Sequence, residues 1–344
     1  MTGPVAAHLV GRTACRTGRI DHGELLFDEP DQQLTEGNRD HGASGHPPYE
    51  ARMPRTGSHA QQAPTTSLRI MLRIADARTG HLVEVPAAPR RLLRSCVHLP
   101  DIGTGPDTGT GLGPVHLRVP LIGDVLARTA ELNGLQVVTV LTTPELTHDR
   151  ARALDRVMAV LGIHPPAVVG AHRPDAALGG PADVHVAAAG TDPDDAGGGA
   201  LIEVGHVATA PPTEDLPGLP DLADLPDPTM PETADPLAVR LLLLGRPYAT
   251  PVTVTGPALA EARRTLRDWR RSVADWAQQP SRPIPTDLLQ QSHSALTENL
   301  DVAAVLALLA EVAERPDVPP GAKFETFAHL DRVLGLDLAR DIGH

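Results

Sequence analysis

Few residues in this chain could do chemistry, and their types narrow the choice. Of the 30 Lys and Arg residues, Lys323 is the sole lysine, so any step that needs an ammonium group at a phosphate or carbonyl must run through it. It lies in Pro319-Pro320-Gly321-Ala322-Lys323, a turn leading into a helical segment, and is expected to be solvated with no catalytic role. Cysteine is as scarce. Only Cys15 and Cys96 are present, with no pair spaced for a zinc knuckle and no disulfide framework, so a reducing cytoplasm is the expected setting. Gly103-x-Gly105 and Gly109-x-Gly111-x-Gly113 approximate a dinucleotide-binding fingerprint, but two prolines interrupt it and no acidic ribose partner follows, so a loop is expected there and no NAD. Arg263, Arg264, Arg267, Arg270 and Arg271 form the dense basic face of a helix. Their spacing groups Arg263, Arg267 and Arg270 on one side and makes that face the candidate RNA contact. No Ser-His-Asp ordering or paired-carboxylate motif supports a hydrolase.

Composition sets the frame for these groups. The 344 residues are 41% hydrophobic, enough for a real core, and carry a net charge of -13. Non-specific affinity for nucleic acid comes mainly from displacing counterions with Lys and Arg, so any RNA contact has to be local. The longest apolar runs, such as Leu241 to Leu244, fall far short of the roughly 20 residues of a membrane helix. Arg12, Arg16, Arg19 and Asp21 break the N-terminus, which lacks the apolar core of a secretory signal. A cytoplasmic protein without membrane association is expected.

Residues 1–66 have no apolar periodicity and are rich in Gly, Pro, His, Gln, Asp and Arg, so they are expected to be disordered. Met71-Leu72-Arg73-Ile74-Ala75-Asp76 reads like a natural start, which makes residues 1–70 a disordered tail or a misplaced beginning. From there strand-like and helix-like pieces alternate. Leu92–His98 is a short apolar strand, and Val119–Asn133 carries Ile122, Val125, Leu126, Thr129 and Leu132 at helical spacing, stopped by Gly134. Leu135–Leu141 is a β-branched strand, and Thr147 caps a helix whose Leu154, Val157, Met158 and Leu161 share one face. Further strands are expected at Asp183–Ala188 and Leu201–Val207. This alternation predicts an α/β fold with a doubly wound parallel sheet over residues 71–207. Residues 208–234 are an acidic, proline-rich linker. Residues 235–344 then read as a helical bundle: Asp235–Leu244, Pro257–Trp276 with Trp269 and Trp276 as core residues, one bent or two helices over Thr286–Arg315, and Phe324–Val333.

Four segments, in order, carry a family resemblance. Asp124-Val125-Leu126, Arg128, Gly134, Val137 and Val140 come first, then Met158, Leu161-Gly162 and Pro165-Pro166. Asp235-Pro236, Ala238-Val239-Arg240, Leu243-Leu244 and Tyr248 follow, and Leu296-Thr297-Glu298-Asn299-Leu300-Asp301 is last. In this order and spacing they resemble the class I cysteinyl-tRNA synthetases and the related mycothiol-pathway cysteine ligase over roughly residues 91–310, the last segment matching an acidic helix. The resemblance implies a class I synthetase-like Rossmann domain followed by a helical domain. It also implies ATP as cofactor, a zinc that selects cysteine, and a tRNA stem near the Arg263–Arg271 helix.

Against that implied machinery the chain departs at each signature. The segment in the position of the HIGH motif is Gly113-Pro114-Val115-His116-Leu117-Arg118, which keeps only His116 and leaves Gly113, His116 and Arg118 as the nucleotide-binding candidates. The window for the lysine-bearing KMSKS loop, Pro220–Thr233, has no lysine and is acidic. The family zinc uses two cysteines, a histidine and a glutamate; Cys96 matches the first, and His98, His185, His206 and Glu203 are the loose substitutes for the rest. The expected function is a non-catalytic or weakly active synthetase-like paralogue that binds a nucleotide, a cysteine-like ligand, RNA or a protein. An active ATP-dependent cysteine ligase with a rewired site and a protein-interaction scaffold are the alternatives.

Overall fold

The computed structural model describes residues 71–85, 91–100, 114–170, 174–191, 198–209 and 235–343. The expected tail, the glycine-rich loop with Gly113, and the Pro220–Thr233 window lie outside them. The sheet begins with β3 (Leu92–His98), which buries Ser95, Cys96 and Val97 in succession and so is covered on both faces, and which sits in the middle of five parallel strands. β4 (Gln136–Thr142) and β5 (Val168–Val169) follow on one side, β6 (Val184–Ala188) and β7 (Ala200–Val204) on the other, giving the order β5-β4-β3-β6-β7. The chain therefore reverses direction across the sheet between β3 and β6. In doubly wound folds the crevice at that reversal, beyond the carboxyl ends of the strands, is where ligands bind.

Each face of the sheet is covered by helices that its sequence dictates. α1 (Pro114–Leu132) packs so closely on the Val97 face that a Cβ at Gly123 would lie 2.6 Å from Val97 Cγ2, which only glycine avoids. Next, α2 (His148–Val160) starts at Thr147, whose hydroxyl accepts the Arg150 N–H, and buries Leu154, Val157 and Met158. The short α3 (Pro174–Leu178) covers the opposite face, where Leu178 and Ala182 enclose Cys96 and Val140. Not foreseen were the hairpin β1 (Arg73–Asp76) and β2 (His81–Glu84), the strand β5, the helix α3, and the parallel pair of β8 (Val207–Thr209) with β9 (Val252–Val254). The hairpin is pinned to β7 by Asp76, whose carboxylate accepts the Leu201 N–H at 3.0 Å.

The C-terminal helices are α4 (Leu237–Leu244), α5 (Gly256–Trp276), α6 (Thr286–Thr297), α7 (Val302–Glu314) and α8 (Pro320–Leu334). Phe327 is fully buried between them and meets Trp269 and Trp276 edge-on, at centroid distances of 5.7 and 5.1 Å. Lys323 is not solvated as expected: it is 9% exposed, donates to the Ala313 carbonyl at 2.7 Å, and lies over the Trp276 ring. Thr286–Arg315 resolves into two helices, because Asn299 and Leu300 adopt left-handed backbone and Asp301 caps the second. The segment Leu296–Asp301 thus holds the last two residues of α6 and the corner Glu298–Asp301 that leads into α7, and is not one continuous helix. Asn299 Oδ1 there accepts both the Ala75 N–H and the Tyr248 hydroxyl, tying the hairpin to this corner. Among the described residues no helix is long and apolar enough to cross a membrane.

Candidate functional site

Parallel pairing places three potential ligands on one face at the sheet reversal. Cys96 and His98 are two residues apart on β3 and so point the same way, and the register sets Cys96 opposite His185 of β6. The ligating atoms of Cys96, His98 and His185 all lie within 4.8 Å of one another. The two imidazoles are stacked, 5.3 Å between centroids and 25° between planes, with His98 Nε2 3.0 Å from His185 Nδ1. On the other side of His98, its Nδ1 is 2.9 Å from the hydroxyl of Thr142, the residue paired with it on β4. That hydroxyl in turn reaches the Val97 carbonyl at 3.3 Å.

If Thr142 donates to Val97, its oxygen accepts from His98 Nδ1–H, and His98 Nε2 is then a lone pair that accepts from His185 Nδ1–H. The chain ends on His185 Nε2, which is buried and has no hydrogen-bond partner among the described residues. Leaving a buried polar atom unpaired costs about 1–3 kcal/mol. Burial pulls the pKa of His185 down to about 4, with the Arg78 charge adding to the effect, so the ring is neutral and its lone pair is available. Burial pushes the Cys96 thiol up to about 12, Asp175 reinforces this, and Thr142 opposes it. Without a nearby cation Cys96 is a neutral thiol.

The other sequence-derived site residues are placed differently. Half-buried His116 sits in the first turn of α1, and Gly113 lies outside the described residues. Arg118 does not face the crevice. It is fully buried and donates to four carbonyls: Gly205 at 3.0 Å, Thr250 at 2.5 Å, Pro247 at 2.9 Å and Arg246 at 3.4 Å. Burial lowers its pKa to about 10, and no carboxylate among the described residues pairs with it. His206 is exposed and Glu203 reaches toward Gly190 N, so neither joins Cys96.

On α5 the supposed basic face divides. Arg267 is exposed and Arg263 half-buried, while Arg270 is buried, paired with Asp235 and bonded to the carbonyls of Leu336 at 2.7 Å and Asp337 at 3.0 Å. Arg270 therefore holds the start of α4 to the C-terminal segment and is not presented with the other two.

Sequence reasoning did not anticipate that three of the resembling segments meet in one buried ion cluster. Asp124 of α1 accepts from Arg240 of α4 at 2.7 Å and from Arg128 at 2.8 Å, both through Oδ2, and its Oδ1 accepts the His164 N–H at 3.0 Å. Arg240 also donates to the carbonyls of Leu161 and Leu334, at 3.0 and 2.5 Å, and Arg128 donates to Gly162 O at 2.7 Å. Gly162 stands at the end of α2 with φ +66°, which turns its carbonyl toward Arg128 and favours a residue without a side chain. The helical spacing of Asp124 and Arg128 was the available signal; the partner 116 residues away was not.

No family model matches the chain. A stretch of it is 33% identical over 105 residues to the L-cysteine:1D-myo-inositol 2-amino-2-deoxy-alpha-D-glucopyranoside ligase of Kribbella flavida, covering 30% of this chain and 25% of that protein. The ligase of the same name from Acidothermus cellulolyticus is 36% identical over 106 residues, covering 30% and 25%. That from Thermobifida fusca is 35% identical over 114 residues, covering 31% and 26%. The matched stretch spans about a quarter of the length of these curated relatives, and over that stretch the chain is similar to the cysteine ligases.

Proposed function

We propose that this protein is a cysteine-ligase-like binding protein that takes cysteine or a similar small thiol at the sheet reversal and no longer forms an adenylate by a lysine-assisted route. One observation carries the reading. The sole lysine of the chain is spent on the Ala313 carbonyl and the Trp276 ring, inside the helical half, so no ammonium group is free to neutralise a departing pyrophosphate. Arginine does not make up the loss next to His116, because Arg118 is committed to four backbone carbonyls. Similarity to proteins named as cysteine ligases supports the thiol as ligand, and the position of Cys96, His98 and His185 supports the reversal as its place.

Two measurements on the same preparation test this. Cysteine-dependent exchange of pyrophosphate into ATP is expected to stay at background, while calorimetric titration shows cysteine binding and serine, lacking the sulfur, not binding. Robust exchange that disappears in His116→Ala would overturn the loss of adenylation. Equal affinity for cysteine and serine would overturn the thiol reading.

A further inference from the structure

We propose that Cys96, His98 and His185 bind a borderline divalent cation, zinc foremost, in a site built on the sheet itself. One thiol sulfur and two imidazoles are a donor set that suits zinc better than the hard cations, which take oxygen ligands. This set is the chain's own. The resemblance implies two cysteines, a histidine and a glutamate, of which Cys96 alone has a counterpart here, and the two histidines come from the strand positions beside it.

The geometry is close to what such an ion needs. Tetrahedral zinc with bonds of roughly 2.0–2.1 Å to nitrogen holds two imidazole nitrogens about 3.3 Å apart. His98 Nε2 and His185 Nδ1 are already 3.0 Å apart, so the ion would replace one hydrogen bond with a few tenths of an ångström of movement. The sulfur has to close in from a spread of at most 4.8 Å. His98 arrives oriented: its Nδ1 is engaged by Thr142, which is the outer hydrogen bond a metal-bound imidazole ordinarily makes. Cys96 is fully buried and His185 is 1% exposed, and ligation through His185 Nδ1 places the ring proton on Nε2, an atom that no hydrogen bond among the described residues engages. His98, only half-buried, offers the way in. Three protein donors leave a coordination position open to an exchangeable ligand.

The inference rests on the donor cluster and not on the loss of adenylation, and the readout is independent of any activity. Full-length protein is stripped with chelator and titrated with Co2+, following the thiolate-to-cobalt charge-transfer band in the near ultraviolet and the visible d–d bands, then competed with Zn2+. Stoichiometric binding with a thiolate band is expected. The band should survive Cys15→Ser and vanish in Cys96→Ser, a change of one atom whose fold is checked by circular dichroism. Affinity should fall on the order of a hundredfold in His98→Gln or His185→Gln, and roughly tenfold in Thr142→Val, which removes only the orienting hydrogen bond. No thiolate band in the folded wild type, or a band that persists in Cys96→Ser, would overturn the proposal. If His185→Gln does not fold, the Cys96→Ser and Thr142→Val pair still decides it.

Discussion

Replacing Asp124 with alanine is expected to destabilise the protein by about 3–5 kcal/mol, the range for removing one partner of a buried ion pair. Its side chain is completely buried, and its loss leaves Arg240, also completely buried, without its ion-pair partner. Arg128, 12% exposed, would lose its partner too. Arg240→Met should cost a similar amount, because it leaves Asp124 with only Arg128 and the His164 N–H and removes the donors from the Leu161 and Leu334 carbonyls. The double variant should recover roughly 2 kcal/mol relative to the sum of the singles, since residues in one network couple. At roughly 2–4 °C per kcal/mol, each single change lowers the unfolding midpoint by about 10 °C. Chemical denaturation of the four proteins measures the cycle, and a loss below about 1 kcal/mol for Asp124→Ala would refute the central role of the cluster.

Acid provides an independent check on the same group. Burial alone would raise the Asp124 pKa, but the charges of Arg240 and Arg128 and the His164 N–H outweigh it and hold the carboxyl below its ordinary 3.8. A carboxyl with a depressed native pKa binds its proton more readily when unfolded. Its stabilisation is therefore complete above the unfolded value and is lost as pH falls through the native one. The gap between wild type and Asp124→Ala should be level above about pH 5 and shrink in stronger acid.

Much of the fold was legible because its signals are local. The run Leu92–His98 matches β3 residue for residue, Thr147 caps α2, and the apolar stripe of Pro257–Trp276 marks α5 to within a residue. The first helix begins five residues before Val119, since Pro114 can occupy its first turn and Pro120 is carried inside it. What escaped depends on distant parts of the chain. The hairpin β1–β2 is four residues a strand and is held by Leu201 and Asn299, while β8 and β9 are three residues each and find each other across 42 intervening positions. The site divides in the same way. Cys96 and His98 share a face by strand alternation, which the sequence displays, but His185 joins them only through the register of β6 on β3. Lys323 was misjudged because a charged residue in a helix usually faces water, and nothing local announces that Trp276 and the Ala313 carbonyl wait for it.

Arg118→Met separates a structural role for this arginine from the nucleotide contact that its place beside His116 suggests. Met matches the aliphatic stem and removes every donor, so the carbonyls of Gly205, Thr250, Pro247 and Arg246 lose their shared partner; Pro247 alone keeps another, the Thr250 N–H. Stranding several buried acceptors at about 1–3 kcal/mol each, softened by local relaxation, predicts a loss of about 3–5 kcal/mol. The damage should be local first: amide hydrogen exchange should quicken at 205–206 and 246–252, where Gly205 leaves no room for a side chain against Ala249 and Thr250 and where β8 meets β9. Arg118→Lys keeps the charge but presents one compact ammonium instead of a planar fork, and should restore about half of the loss. If Arg118 instead served a nucleotide, Met would leave the unfolding midpoint and the exchange rates near wild type and abolish ATP binding. The four carbonyls within 3.4 Å of its guanidinium argue for the first outcome, because a fork already spent on both loops has one donor, Nε, left over, and that atom is buried.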